Sequence, residues 1–280
     1  MTTTLRPTGP EERAEDGSRS RSYDVCVNSR PVGVIRLAAD VRHGAGTAVG
    51  RVEQLVIDER EQRRGRGTVA ALAAEEVLRG WGCRRVEAGV PARARAALNL
   101  AAALGYRERS RNMLKELGDE PRLSRGSVAR PMTEEEFGDW FARERREQLL
   151  LLREQGVPDD EAAARSEEVY RRYLPRGAAS TGAALRVLVH EGAKVGTLWV
   201  ASGLAPRADV DSWVFTVEVA EERRGQGHGR TLMRVAEHEA LAAGGRVLGL
   251  NVYADNTPAL RLYESLGYRP VEHHFVKPLG

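Results

Sequence analysis

The 280-residue chain sets 43 Lys+Arg against 40 Asp+Glu, is 41% hydrophobic and 5% aromatic, and has a mean hydropathy of −0.44. That is the composition of a folded globular chain with one large domain or two ordinary ones; no stretch approaches 18 uncharged apolar residues, which excludes a bundle of membrane-crossing helices. A net charge of +3 with so few aromatic side chains also excludes the basic, stacking surface of a nucleic-acid binder. Residues 1–125 hold 23 basic and 17 acidic side chains, so the remainder is net −3. Arginine supplies nearly all of the positive charge, with lysine only at 115, 194 and 277, as in chains encoded by a GC-rich genome. Charges crowd the first 25 residues and no apolar core follows them, so no secretory leader is expected. Cys26 and Cys83 are too few for a disulfide framework and read as reduced thiols of a cytoplasmic protein.

Taken in order, residues 1–118 form one copy of a repeat, 119–126 a polar, breaker-rich linker, and 127–280 a second copy. Sliding 52–117 onto 214–279, an offset of 162 without gaps, brings Gly65 and Gly67 onto Gly227 and Gly229. The same offset sets Leu104-Gly105-Tyr106 on Leu266-Gly267-Tyr268, and Lys115 on Lys277. Arg6-Pro7 meets Arg130-Pro131 at an offset of 124, so the second copy holds 38 residues that the first lacks. That copy predicts a strand at Val128–Met132, then a helix opened by the capping box of Thr133 and Glu136 and running to about Gln155. A second helix restarts at Pro158 and ends near Leu174. Strands Leu185–His190 and Val195–Ala201 form a hairpin across Glu191-Gly192, and Trp213–Val219 is a third strand. Helix Gly229–Ala243, strand Arg246–Tyr253, helix Thr257–Leu266 and strand His273–Lys277 complete the order. The first copy repeats this from its hairpin onward, but residues 8–21 are too few and too polar for the two early helices. Trp140, Phe141, Tyr170 and Tyr173 are expected to be core residues of those helices, with some lining an acceptor pocket.

Between a strand and a helix lies Arg224-Gly225-Gln226-Gly227-His228-Gly229. Glycines there let backbone N–H groups approach a ligand, and the helix N-terminus favours an anion such as a pyrophosphate. The spacing fits neither a P-loop, because Gly229 is followed by Arg230-Thr231, nor a dinucleotide fingerprint, which would need glycine at 230. Read by itself, the turn is equally well a tight connection that binds nothing. Thirty residues on, Asn256-x2-Ala259-x3-Tyr263-x2-Leu266-Gly267-Tyr268 follows it.

Together with Val219-x4-Arg224-x2-Gly227-x-Gly229, that series resembles the GNAT superfamily of acetyl-CoA-dependent N-acetyltransferases. The resemblance covers 128–280, and 3–117 with deletions. It implies an α/β (α+β) chain of two tandem GNAT folds, each a mixed, mostly antiparallel sheet flanked by helices. It implies that Arg224, Gly225, Gln226, Gly227, His228, Gly229 and Arg230 hold the pyrophosphate, with His228 itself filling the turn. Val217 and Val219 would pair with the pantetheine arm, and Asn256 would hydrogen-bond it. Tyr263 matches the tyrosine that protonates the leaving thiolate, the alternative being a packed aromatic. Glu218 alternates with the two valines and so faces the other side of the strand, either as a base for the acceptor ammonium or as a solvated carboxylate.

No metal is expected, since His273 and His274 have no ligand spacing with any Cys or acid. The first copy carries Ala94, Ala101 and Gly89 where the second has Asn256, Tyr263 and Asn251, so it is expected to be structural and catalytically silent. Tandem organisation with an active second half is similar to that of mycothiol synthase. The expected activity is acetyl transfer from acetyl-CoA to the primary amine of a small molecule in a ternary complex. Two alternatives stand beside it: a longer acyl-CoA or acyl carrier protein as donor, and a non-catalytic CoA-binding sensor or scaffold. No membrane or nucleic-acid partner is expected, and a homodimer is left open as one way to cover the first copy's sheet.

Overall fold

The structure, a computed structural model, describes residues 2–15, 17–41, 48–154 and 157–280. In chain order the first copy contains β1 (Thr3–Pro7), β2 (Glu12–Arg13), β3 (Arg19–Val27), β4 (Arg30–Val41), β5 (Ala48–Ile57), α1 (Arg66–Gly80), β6 (Cys83–Pro91), α2 (Arg95–Ala103) and β7 (Arg107–Glu116). The second contains β8 (Ser127–Pro131), α3 (Glu134–Glu154), α4 (Asp159–Tyr173), β9 (Ala183–His190), β10 (Ala193–Ser202), β11 (Ser212–Val219), α5 (His228–Ala242), β12 (Val247–Tyr253), α6 (Thr257–Ser265) and β13 (Arg269–Pro278). Each segment expected in the second copy is present; the expected end of α3 at Gln155 lies outside the described residues.

Local chemistry accounts for the ends of these elements. At α3 the capping box closes in both directions: Glu136 N donates to Thr133 Oγ1 at 3.2 Å, and Thr133 N donates to Glu136 Oε2 at 3.0 Å. Arg130 adds two bonds to the same carboxylate, at 2.6 and 2.8 Å, and together these hold its pKa down to about 2. The β9–β10 hairpin turns on Glu191 at φ 50 and Gly192 at φ 82, the left-handed pair that a two-residue hairpin requires. Asn28 and Ser29, at φ 47 and 69, do the same between β3 and β4.

The chain forms two compact units, and they depart from the contiguous halves 1–118 and 127–280 expected from the repeat. One comprises Met1–Arg111 with Glu272–Gly280, the other Asn112–Val271. In the first, the sheet runs β1-β3-β4-β5-β6-β13, with β2 beside β3. In the second, it runs β7-β12-β11-β10-β9-β8. β5 pairs with β6 in parallel and β11 with β12 in parallel, while the hairpin pairs are antiparallel.

The departure arises because each copy gives its last strand to the other copy's sheet. β13 pairs with β6 from Glu272↔Pro91 to Pro278↔Arg85, and Phe275 and Leu279 join a core around Ile35, Leu37 and Leu78. Met113 and Leu117, from the end of the first copy, are buried among Leu198, Leu232, Met233 and Leu248. The polar contacts repeat at the same offset. Lys115 Nζ reaches Glu237 at 2.6 Å and lies over the Tyr268 ring at 5.7 Å. Lys277 Nζ reaches both Glu75 oxygens at 2.8 Å and lies over Tyr106 at 5.4 Å. Leu117 N donates to the Arg246 carbonyl and Leu279 N to the Arg84 carbonyl, both at 2.7 Å.

A third core lies beneath α3 and α4. Trp140, Tyr170 and Tyr173 are buried there, as expected, against Trp199 and the partly buried Phe141 and Phe215. Trp199 stacks on Phe215 with ring centroids 4.3 Å apart and meets Trp140 edge-on at 5.9 Å. Both cysteines are free and buried, and desolvation pushes the Cys83 thiol up to about 11.

Candidate active site

Two irregularities in the second sheet open the site. β10 and β11 lose register between Trp199 and Val200, a bulge that bends the ladder. β11 and β12 then pair only over Ser212–Val214 with Leu248–Leu250, although both strands continue beyond. The diverging strands leave a cleft of about 680 Å³, lined by Val217–Val219, the glycine turn, and Asn256, Ala259, Leu262 and Tyr263 of α6. Along that edge of β11, backbone amides and carbonyls are placed to pair with an extended amide chain, as an added strand would.

The turn at the mouth of the cleft has the shape its glycines permit. Gly225 and Gly227 take φ 77 and 88, and α5 begins at the next residue, so consecutive backbone N–H groups converge beside a helix N-terminus. Gly229 meets a different constraint: a Cβ there would stand 3.2 Å from Leu262 Cδ2, so that side chain of α6 would have to give by a few tenths of an ångström. Arg224 Nε donates to the Val219 carbonyl at 3.4 Å, Gln226 Nε2 to the Glu222 carbonyl at 3.3 Å, and Arg230 Nη2 to Ser265 Oγ at 2.6 Å. His228 does not merely fill the turn. Its side chain is buried, with its ring 4.9 Å from that of His190, and burial followed by the charge of His190 lowers its pKa.

Tyr263 is buried on α6 facing the cleft, and desolvation raises its hydroxyl to about 12, so it stays protonated at neutral pH. Asn256 caps the same helix: its Oδ1 accepts from Ala259 N at 3.2 Å, which leaves the amide NH2 as the donor beside the cleft.

On the opposite face of β11, Glu218 lies where strand alternation places it, apart from Val217 and Val219, which pack on the second core. Its Oε2 accepts from Arg143 Nη2 at 2.9 Å and from Thr197 Oγ1 at 3.2 Å. Glu144, absent from the sequence reading, joins it from α3. That half-buried carboxylate accepts from Thr216 Oγ1 at 2.9 Å, and desolvation, reinforced by Glu147 and Glu218, raises its pKa. One signal for it does exist in the sequence. Trp140, Glu144 and Gln148 recur at a spacing of four, so a charged residue occupies the inward stripe of an amphipathic helix. Among the described residues no three His, Cys, Asp or Glu side chains gather to hold a metal ion, and no helix is long and apolar enough to cross a membrane.

The fold recurs in known proteins. The Acetyltransferase (GNAT) family matches residues 3–106 and again 152–268. A mycothiol acetyltransferase of Corynebacterium glutamicum (strain R) is 41% identical over 63 residues, which is 22% of this chain and 22% of that protein. The chain thus spans less than a quarter of that relative in the matched region. Two solved structures share the fold over most of the chain. A GCN5-related N-acetyltransferase from Sphaerobacter thermophilus has a TM-score of 0.55 at 20% identity, covering 92% of this chain and 80% of that one. A tandem GNAT protein from the clavulanic acid biosynthesis pathway has a TM-score of 0.50 at 22% identity, covering 96% and 85%. The chain belongs to the GNAT acetyltransferase family and carries its fold in tandem.

Proposed function

We propose that the second unit transfers an acetyl group from acetyl-CoA to the primary amine of a small cationic molecule, by direct attack in a ternary complex. The observation that carries this reading is the convergence, on one cleft, of the glycine turn, the open edge of β11 and the Tyr263 hydroxyl, with two carboxylates on the other side of the same strand.

Acetyl-CoA supplies an activated thioester. The turn and the α5 N-terminus suit its pyrophosphate, with three arginines lining the cleft at 223, 224 and 230. The amides of Val217 and Val219 hold the pantetheine arm and polarise the thioester carbonyl, a fixed dipole that needs no reorganisation. An acceptor ammonium must lose a proton before it can attack, and Glu218 or Glu144 takes it. Glu144 is the stronger candidate, because Glu218 is already engaged by Arg143 and Thr197 while burial raises the pKa of Glu144. The amine nitrogen bonds to the carbonyl carbon, the carbon–sulfur bond breaks, and Tyr263 gives its proton to the departing thiolate. No covalent enzyme intermediate is needed.

Two carboxylates around one arginine leave the acceptor side net negative, which favours a cationic acceptor such as an amino sugar or a polyamine over an acidic one. Incubating the full chain with acetyl-CoA and an amine panel, and following thiol release and a mass increase on the acceptor, tests the proposal. Turnover on at least one amine is expected. Tight acetyl-CoA binding without thiol release on any amine would favour a sensor instead.

A further inference from the structure

The first unit contains a cavity of about 310 Å³ between β5, β6 and α2, lined by Val52, Leu55, Val90, Ala94, Leu100 and Ala101. At the offset of 162 its Leu55, Ala94, Ala97, Leu100 and Ala101 match five residues that line the α6 end of the cleft above, and the backbone around it keeps the second copy's geometry. β5 pairs with β6 in parallel only from Ala48 to Val52 and then diverges, leaving its edge open. Gly65 takes φ 76 where Gly227 takes 88, and Arg63 takes φ 58 where Gly225 takes 77. A non-glycine residue held in that region is strained, so this turn keeps its shape against the preference of its own sequence. Gln62 Nε2 donates to the Ile57 carbonyl at 2.8 Å, matching Arg224 on Val219, and Leu100 approaches Gly67 as Leu262 approaches Gly229. Arg63 and Arg64 are exposed and form no ion pair among the described residues.

What differs is the end of the cleft where the acyl group would lie. Ala101 replaces the Tyr263 phenol, Ala94 the Asn256 amide and Gly89 the Asn251 amide. The two of these that line the second copy's cleft, the phenol and the Asn256 amide, are gone, and an apolar chamber stands where the proton donor would be. We infer that the first copy binds, without transferring its acyl group, an acyl-CoA whose chain is longer than acetyl, of hexanoyl to octanoyl length. The turn takes the pyrophosphate, the open edge of β5 takes the pantetheine amides, and the alkyl chain fills the space vacated by the phenol. This rests on the reading of the second copy as an acetyl-CoA site.

Calorimetric titration of the full chain carrying Gly227→Val, which removes the second site, tests it with acetyl-, butyryl-, hexanoyl- and octanoyl-CoA as probes. One site is expected, with affinity rising about fourfold for each buried methylene. Ala101→Tyr should then weaken octanoyl-CoA at least tenfold while leaving acetyl transfer by the otherwise wild-type chain unchanged. If melting shows that variant to be unfolded, Ala94→Asn is expected to weaken octanoyl-CoA severalfold in its place. Affinity independent of chain length, or unaltered by the folded variant, overturns the inference, as does octanoate binding as tightly as octanoyl-CoA. The two readings fail separately. If wild type binds acetyl-CoA but the Gly227→Val chain binds no acyl-CoA, only the first-copy proposal falls. If octanoyl-CoA binds the Gly227→Val chain while acetyl-CoA binding is lacking in wild type, only the second-copy reading falls.

Discussion

Arg143 on α3 donates to Glu218 on β11 at 2.9 Å, so the carboxylate nearest the open strand edge shares its charge with a cation before any acceptor arrives. The neighbouring carboxylate, Glu144, accepts from a neutral hydroxyl, that of Thr216. The two acids are therefore not equivalent. One is already engaged by a cation, and the other is a base whose pKa burial raises.

Glu144→Gln should lower kcat/KM for the amine by about 10²–10⁴-fold, the usual contribution of a general base. A base works only when ionised, and burial raises the pKa of Glu144, so wild-type activity should fall as pH drops through that raised value. The variant should lose this acidic limb altogether. Glu218→Gln should mainly raise the acceptor KM. The reverse assignment, with the limb lost in Glu218→Gln and kept in Glu144→Gln, would make Glu218 the base.

Tyr263→Phe should reduce kcat by about 10²–10⁴-fold and leave acetyl-CoA affinity within a few fold, because the hydroxyl is needed only as the thiolate forms. With its pKa at about 12, the hydroxyl remains a proton donor throughout the ordinary assay range, so no alkaline limb from this group should appear below pH 10. An unchanged kcat, with chemistry shown to be rate-limiting, would return Tyr263 to a packing role.

Gly227→Val places a β-branched residue at φ 88, where it is strained even though a Cβ would meet nothing within 4 Å. About 1–3 kcal/mol of local strain is expected, with the fold retained. The valine side chain also lies where a pyrophosphate must approach the backbone. Acetyl-CoA affinity should fall at least a hundredfold by calorimetry; wild-type affinity would remove the turn from the binding site.

Lys277→Met should leave the Glu75 carboxylate, whose side chain is 3% exposed, with only the more distant Arg79 guanidinium at 3.9 Å among the described residues. Losing one partner of a buried pair costs about 3–5 kcal/mol, and somewhat less here because the lysine side chain is 21% exposed. Adding Glu75→Leu should recover much of that loss in urea denaturation. Additive losses in the double variant would show that the pair is not coupled.

Gly65→Val with Gly67→Val should leave kcat for acetyl transfer nearly intact, as the first copy lacks the hydroxyl of Tyr263. Truncation is the harsher change. A fragment starting at Ser127 discards Met113, which is fully buried, and the strand that carries it, and should aggregate. Keeping residues from Arg107 should restore solubility, and a soluble, fully active fragment from Ser127 would make everything before it dispensable.

Much of this was legible because the signals are local. Thr133 and Glu136 predict their own capping box, Glu191-Gly192 its hairpin, and strand alternation the direction of Glu218. The exchange of final strands was not, and the reason is specific. Lys115 and Lys277 sit in matching strands, and Glu75 and Glu237 in matching helices, so either pairing satisfies the same side-chain pattern; repeats conceal which copy serves which. Glu144 escaped because an acid on a helix rich in charge reads as solvated until the strand beneath it is known. His228 looked like part of the turn, and only its packing against His190 shows that it points inward.

The first unit draws a strand of its sheet from residues made about 190 positions after the strand it pairs with. During synthesis β6 must therefore emerge from the ribosome with one edge open, and it stays open until nearly all of the second copy has followed. Contacts this distant in sequence slow folding, and an open edge invites pairing with another chain. The finished protein closes that edge with Glu272–Pro278, so the halves of the repeat cannot mature one after the other. Refolding from denaturant should accordingly complete the first core last, and chains stalled short of Glu272 should be the ones that chaperones hold.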